Sequence, residues 1–201
     1  MDFEHVIRNR RSVRQFKHVP IPTDDIRLIV KTAALSANAN NAQIFRFIAV
    51  INQAINRTVA EAIESKTALM IEDEAERDKF LEHVTFFKDA PCTIYVFKLP
   101  YHSATEELVA RVDPDNLEEC KSYADYQTIG AAVENLMLTT FSLGYSSCYM
   151  CAPLLAAPEV KKILAVDKTW KLAALVPIGL GAEFPSTPQR LPLDVLLKIV
   201  S

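Results

Sequence analysis

The chain has 201 residues, half of them hydrophobic, and carries 22 Lys and Arg against 25 Asp and Glu for a formal net charge of −3. That length suits one domain, residues 1–201, with a sizeable buried core. The mild acidity excludes a broad nucleic-acid footprint or a basic membrane-binding face. Residues 1 to 20 are too charged for a signal peptide and no apolar run approaches a membrane span, so a cytoplasmic protein is expected.

Residues 2 to 9 read as a short helix that delivers Arg10-Arg11-Ser12-Val13-Arg14-Gln15-Phe16. Three guanidiniums and a hydroxyl within five residues make a compact donor set for a dianionic phosphate. The same residues also suit a solvated basic run. Pro20 and Pro22 then interrupt regular structure, Thr23 is placed to cap a helix with Asp24 and Asp25 in its first turn, and Ile26, Ile29, Val30 and Ala33 form its apolar face. A polar run from Ser36 to Gln43 precedes a strand from Phe45 to Ile51. Its short amides can bond ligand or backbone equally well.

Residues 54 to 87 read as helical, with Ile71 to Asp78 a solvated acidic turn or helix face. Asp89-Ala90-Pro91 breaks into a buried strand from Cys92 to Phe97, closed by Pro100. Residues 101 to 120 are acidic and weakly periodic, an excursion placed to lie over a site. From Tyr123 to Leu143 apolar residues recur at helical spacing, which predicts a central buried helix ended by Gly144. A strand from Ser146 to Cys151, a short helix from Pro158 to Leu164 and a strand from Leu172 to Leu180 follow. Pro185 and Pro188 mark an extended tail, and Arg190-Leu191-Pro192-Leu193 leads into a last amphipathic piece. Helices and strands in this order specify an α+β fold.

The chemistry is constrained by what the sequence lacks. Its four glycines, Gly130, Gly144, Gly179 and Gly181, cannot build a dinucleotide or Walker loop. A bound nucleotide phosphate must therefore be held by side chains, with Arg10, Ser12, Arg14 and Arg190 as candidates. His5, His18, His83 and His102 have no recognisable partner spacing, so no catalytic side chain is expected. Cys148 and Cys151 have C-x-x-C spacing, but a structural zinc needs two further ligands. Their apolar neighbours Tyr149 and Met150 favour two buried thiols and no metal.

Arg10 to Phe16, Ile26 to Ala34 and Asn38 to Phe47, taken with Asp89-Ala90-Pro91, Gly130 to Leu136, Leu143-Gly144-Tyr145, Ile178-Gly179 and Arg190 to Leu193, resemble the nitroreductase family across nearly the whole chain. The resemblance implies a nitroreductase-like fold, a central mixed or antiparallel β-sheet flanked by helices, that binds FMN. By position, the segment Arg10, Arg11, Ser12 and Arg14 matches the one that holds the FMN phosphate, and Arg190 matches a basic residue reaching it from the C-terminal side. Asn38, Ala39 and Asn41 fall where family members contact the ribityl chain and flavin edge, commonly from a partner subunit. Met150, Cys151 and Ala152 fall beside the isoalloxazine, with the N–H near Cys151 a candidate donor to flavin N5. The implied activity is ping-pong transfer of a hydride from NADH or NADPH through FMN to a small nitroaromatic, quinone or related acceptor, in a homodimer with FMN at the interface. Ile44, Phe45, the central helix and the leucine-rich tail supply apolar surface for such an interface, or for the core. Ala37-Asn38, Gln43-Ile44-Phe45 and Pro188 depart from the family pattern. A flavin-binding or redox-sensing protein with little turnover, or a non-flavin protein using the arginines for another anion, stays open.

Overall fold

Three apolar segments and a short pair of serines form one antiparallel sheet in the computed structural model, which describes residues 2–200. The strands are β1 (Phe45–Val50), β2 (Cys92–Lys98), β3 (Ser146–Ser147) and β4 (Lys171–Gly179), in the order β1-β2-β4-β3. Ile48 pairs with Tyr95, Ile94 with Val176, and Ser147 with Ile178. Side chains alternate across a strand, so Ile94 and Val96 enter one core while Tyr95 and Phe97 enter the other. Every residue of β2 is buried because helices cover both faces, which is why its sequence is a continuous apolar run.

One face is covered by α2 (Thr23–Ala33) and α7 (Ala124–Ser142), whose Ile26, Ile29, Ile129, Val133 and Leu136 pack on the sheet. The other is covered by α3 (Gln53–Ala68) and α8 (Ala157–Ile163), with Val59, Ile63 and Val160 against Tyr95, Phe97 and Leu175. In this second core the Tyr95 hydroxyl donates to Asn56 Oδ1 at 2.8 Å, satisfying two buried polar groups with each other. The short helix α1 (Phe3–Asn9) rests on α7.

Several expected boundaries move, each for a local reason. Thr23 is the first residue of α2 and caps nothing; Pro22 holds the cap position, while Asp24 and Asp25 occupy the first turn as expected. Between 54 and 87 the helix breaks in two, because Asp73 accepts from Glu76 N at 2.7 Å and starts α4 (Glu74–Val84) inside the acidic stretch. The 101–120 excursion contains α5 (Ala104–Val112), capped by Ser103, and one turn of α6 (Leu117–Cys120). Neither helix buries a residue, so no apolar face was available to read. The strand expected from Ser146 to Cys151 is only two residues long. The chain leaves the sheet after Ser147 and touches it again at Met150, whose N–H and C=O both bond Leu175, at 2.9 and 3.0 Å.

Gly144, at φ 88°, turns the chain out of α7. The following Tyr145 donates its hydroxyl to Asp25 on α2 at 2.6 Å. That bond, with burial, raises the phenol from its ordinary 10.0 to about 12. A raised pKa means that the contribution of this latch to stability is complete below pH 10.0 and is lost as pH climbs through about 12. Urea midpoints across that window should fall more steeply for wild type than for Tyr145→Phe; parallel slopes would show that the latch is not what titrates.

At the far end of the sheet Gly179 is pressed by its neighbours. A Cβ there would lie 2.8 Å from Pro91 Cδ and 3.0 Å from Phe16 Cδ1. Gly179→Ala should therefore lower stability by roughly 1–3 kcal/mol, the usual range for overpacking, read from its denaturation midpoint. After Gly181 the chain leaves the sheet, and Leu193–Leu196 make a single helical turn, α9, with no buried residue.

Candidate functional site

The Arg10–Phe16 stretch is stitched to the edge of the sheet. Ser12 forms a parallel bridge with Ser147, and Val13 N donates to Ser147 O at 3.0 Å. Phe16 bridges Gly181, Lys17 N donates to Leu180 O at 2.8 Å, and Ala182 N donates to Gln15 O at 2.9 Å. The Glu183 carboxylate accepts from Arg14 N at 2.5 Å and Gln15 N at 3.3 Å. Val13 and Phe16 are buried with Ala90 and anchor the segment, so the charged residues around them are displayed at fixed positions.

Arg10, Ser12 and Arg14 lie near one buried thiol. Burial raises the pKa of Cys148, while Arg14, a hydrogen bond with Ser12 and Arg10 act to lower it and Glu183 to raise it. The adjacent Ser147 has a buried hydroxyl with no hydrogen-bond partner among the described residues. Arg10 Nε lies 3.7 Å from Glu134 on α7, and the Arg14 guanidinium reaches the Ser12 carbonyl at 3.5 Å. Arg10 is paired with Glu134 and the Glu183 carboxylate is held by backbone N–H groups, which leaves the Arg14 guanidinium as the cation here without a carboxylate partner among the described residues.

Arg11 is not part of this cluster. Its Nη1 donates to the carbonyls of Arg8 and Arg10, at 2.8 and 2.7 Å, and its Nη2 to the Thr187 hydroxyl. Arg190 is exposed in the tail and makes no hydrogen bond or ion pair among the described residues.

Asn38, Ala39 and Asn41 form a tight turn after α2. Asn38 Oδ1 accepts from Gln43 N at 3.0 Å and its Nδ2 donates to Ser36 O at 3.1 Å, while Ala39 N donates to Thr128 on α7 at 3.2 Å. Asn40, Asn41 and Gln43 all have positive φ, at 52°, 52° and 47°, a conformation that Asn accepts more readily than Gln. Thr128, which holds this turn, and Glu134, which faces Arg10, are six residues apart on α7, about 9 Å along its axis and on different sides of it. No hydrogen bond joins the turn to the arginine cluster among the described residues.

Met150, Cys151 and Ala152 divide. The Met150 side chain is buried in the core and its backbone is committed to Leu175, so it does not face solvent. Cys151 and Ala152 are exposed, and the Cys151 N–H has no partner among the described residues. The expectation of two buried thiols fails at Cys151, because the chain has already left the sheet there. Ser147, Glu134 and Glu183 were missed as site residues. Only the bridge to Ser12 and the return of the chain after β4 bring them together.

Burial pushes the Cys92 thiol up to about 12 and raises Cys148 and Cys151 as well. A thiol reagent applied to native protein near neutral pH should modify the exposed Cys120 and Cys151 and spare Cys92 and Cys148, read by mass before and after unfolding. Rapid loss of all four thiols would contradict the burial. No group of three or more His, Cys, Asp or Glu able to hold a metal occurs among the described residues. No helix there is long and apolar enough to cross a membrane.

Similarity to known proteins agrees with the fold. The chain is 22% identical over 206 residues to an iodotyrosine deiodinase of Nematostella vectensis, covering 98% of this chain and 74% of that one. The crystal structure of a BluB-like flavoprotein from Clostridium difficile 630 superposes with a TM-score of 0.89 at 23% identity over the full length of both chains. An FMN and NADPH-dependent nitroreductase, NfnB, from Sphigopyxis sp. strain HMH does so with a TM-score of 0.81 at 15% identity, again over all of both chains. A family model described as the nitroreductase family matches residues 7–180. With an antiparallel sheet layered by helices and a match over most of its length, the chain belongs to the nitroreductase family.

Proposed function

We propose that this chain is an FMN-dependent oxidoreductase that uses NADH or NADPH to reduce a small planar acceptor, a nitroaromatic, a quinone or a related compound. The observation that carries the reading is that Arg10, Ser12 and Arg14 sit on one segment stitched at Ser12 and Val13 to Ser147, whose buried hydroxyl is unpartnered among the described residues. The donor set fits a terminal phosphate monoester, and it works through side chains, as the lack of a glycine-rich loop requires. FMN, when bound, supplies hydride acceptance at N5 and onward electron transfer. Arg10 and Arg14 hold its phosphate, with Arg190 closing from the tail. The free N–H of Cys151 is offered to N5, with Ala152 beside it, and the turn at Asn38, Ala39 and Asn41 meets the flavin edge of a second protomer. Because one flavin would serve donor and acceptor in turn, ping-pong kinetics are expected.

The second protomer has its own support. Of the apolar features offered for an interface, Ile44, Phe45 and the apolar face of α7 are buried in this chain's own core. The tail is different. Leu191, Leu193, Val195, Leu196, Leu197, Ile199 and Val200 are all exposed on a tail whose one helical turn buries nothing. Packing of this apolar tail on a second protomer would cover it. Sedimentation of FMN-loaded protein as a monomer at micromolar concentration would remove the shared site.

The visible spectrum of purified protein, followed by anaerobic bleaching with each nicotinamide, tests the function. Flavin bands that bleach support it. Bands that neither nicotinamide bleaches indicate a flavin-binding or sensing protein, and colourless protein that takes up no FMN overturns the reading. The deiodinase relative favours a second acceptor class, halogenated phenols, distinguished by halide release under the same conditions.

A further inference from the structure

Part of the basic stretch borders a place apart from Arg10, Ser12 and Arg14. Arg11 and Val13, with Lys17 beyond them, line a cavity of ≈ 520 Å³ between the N-terminal segment, the end of α7 and the chain after β4. Arg10, Ser12, Arg14 and residues 150–152 do not line it. Its volume lies within the range of small-molecule sites.

The charges in this cavity are unbalanced. The half-buried Arg11 guanidinium makes all its hydrogen bonds to neutral oxygens, those of Arg8, Arg10 and Thr187. Lys17 also lines the cavity, and its ammonium has no carboxylate partner among the described residues. The carboxylate in the lining, Glu183, is committed to the backbone N–H groups of Arg14 and Gln15. Two cations thus share one concavity with a single carboxylate that pairs with neither, which leaves a net positive charge that favours an anion. The remaining wall mixes polar residues, Asn9, Ser146 and Thr187, with the apolar and aromatic Phe141, Leu180 and Phe184, the last 94% exposed.

We propose that this cavity is a second ligand site, distinct from the phosphate cradle, for an organic anion with an aromatic body: its acid group lies between Arg11 and Lys17, and its ring lies against Phe141 and Phe184. The two sites share one extended segment, whose alternate side chains serve opposite purposes. The aromatic wall excludes a bare inorganic anion as the preferred occupant, because such an ion would leave Phe184 in water.

The probe is anilinonaphthalenesulfonate, an aromatic anion, titrated by fluorescence into the protein as purified and into FMN-loaded protein. Saturable binding of one dye per chain is expected. Lys17→Glu and Phe184→Ala, both at exposed positions where folding is not at stake, should each weaken it by roughly tenfold while FMN content stays unchanged. Equal affinity in wild type and both variants would place the dye on the apolar tail and overturn the proposal. Release of FMN in proportion to bound dye would also overturn it, by making the cavity part of the flavin site. The titration reads the same on protein that holds no flavin, so its outcome is separate from that of the flavin assignment.

Discussion

Arg10→Ala combined with Arg14→Ala is expected to strip FMN from the protein during ordinary purification. Hydrogen bonds to charged groups contribute about 1.5–3 kcal/mol each, with exposed ones at the lower end. Losing both guanidiniums should therefore raise the Kd for FMN by about a hundredfold or more, measurable by quenching of flavin fluorescence on binding. The fold should persist, because the segment is anchored by Val13, Phe16 and its backbone bonds to Ser147 and Leu180, not by the arginines. Glu134, left without Arg10, is exposed and tolerates the loss. Arg190→Ala should have a smaller effect in the same direction. Unchanged FMN affinity in the double variant would return Arg10 to Phe16 to an ordinary solvated charge run.

Leu136→Ala is expected to destabilise the whole domain. Leu136 is fully buried at the centre of α7, in the core shared with Ile129, Val133, Ile94 and Val176. Truncating such a leucine leaves a cavity and costs about 2–5 kcal/mol, a large part of the roughly 5–15 kcal/mol that holds an ordinary domain together. Because α7 also carries Thr128 under the Asn38 turn and Glu134 beside Arg10, the two halves of the site should be lost in the same transition. Denaturant unfolding followed by tryptophan fluorescence, through Trp170 in the other core, measures this. Added FMN should recover part of the midpoint by mass action. A midpoint within error of wild type would mean that the core is not packed as described.

The sequence was most readable where burial was most complete. The central helix could be read because its apolar residues recur over five turns, and β2 and β4 because both of their faces are covered. The 101–120 segment could not be read as helical, since none of its helical residues is buried and it is held by caps and by hydrogen bonds such as that from Ser122 to Glu106. Thr23 lost its expected role to Pro22 for a reason that spacing does not record. The candidate site was legible as a set of residue types and illegible as an arrangement. Arg10, Arg11, Ser12 and Arg14 look equivalent in sequence. Only the bridge from Ser12 to Ser147 makes the segment extended and so turns Arg11 away from the others. Cys151 and Met150 differ in the same way, since which of them faces solvent depends on where the chain leaves Leu175.

The phosphate cradle joins the two ends of the chain. Arg14 and the Glu183 that receives its backbone N–H are 169 residues apart, and Ser12 waits for Ser147. Closing so long a loop carries an entropic cost that nearby contacts do not share, and such contacts form late in folding. A nascent chain that has not yet emitted β4 has its arginines but nothing to hold them in place. If the segment holds FMN as proposed, loading is confined to the end of synthesis, and a chain cut short before Glu183 would lose the cradle even though every arginine in its first twenty residues were intact.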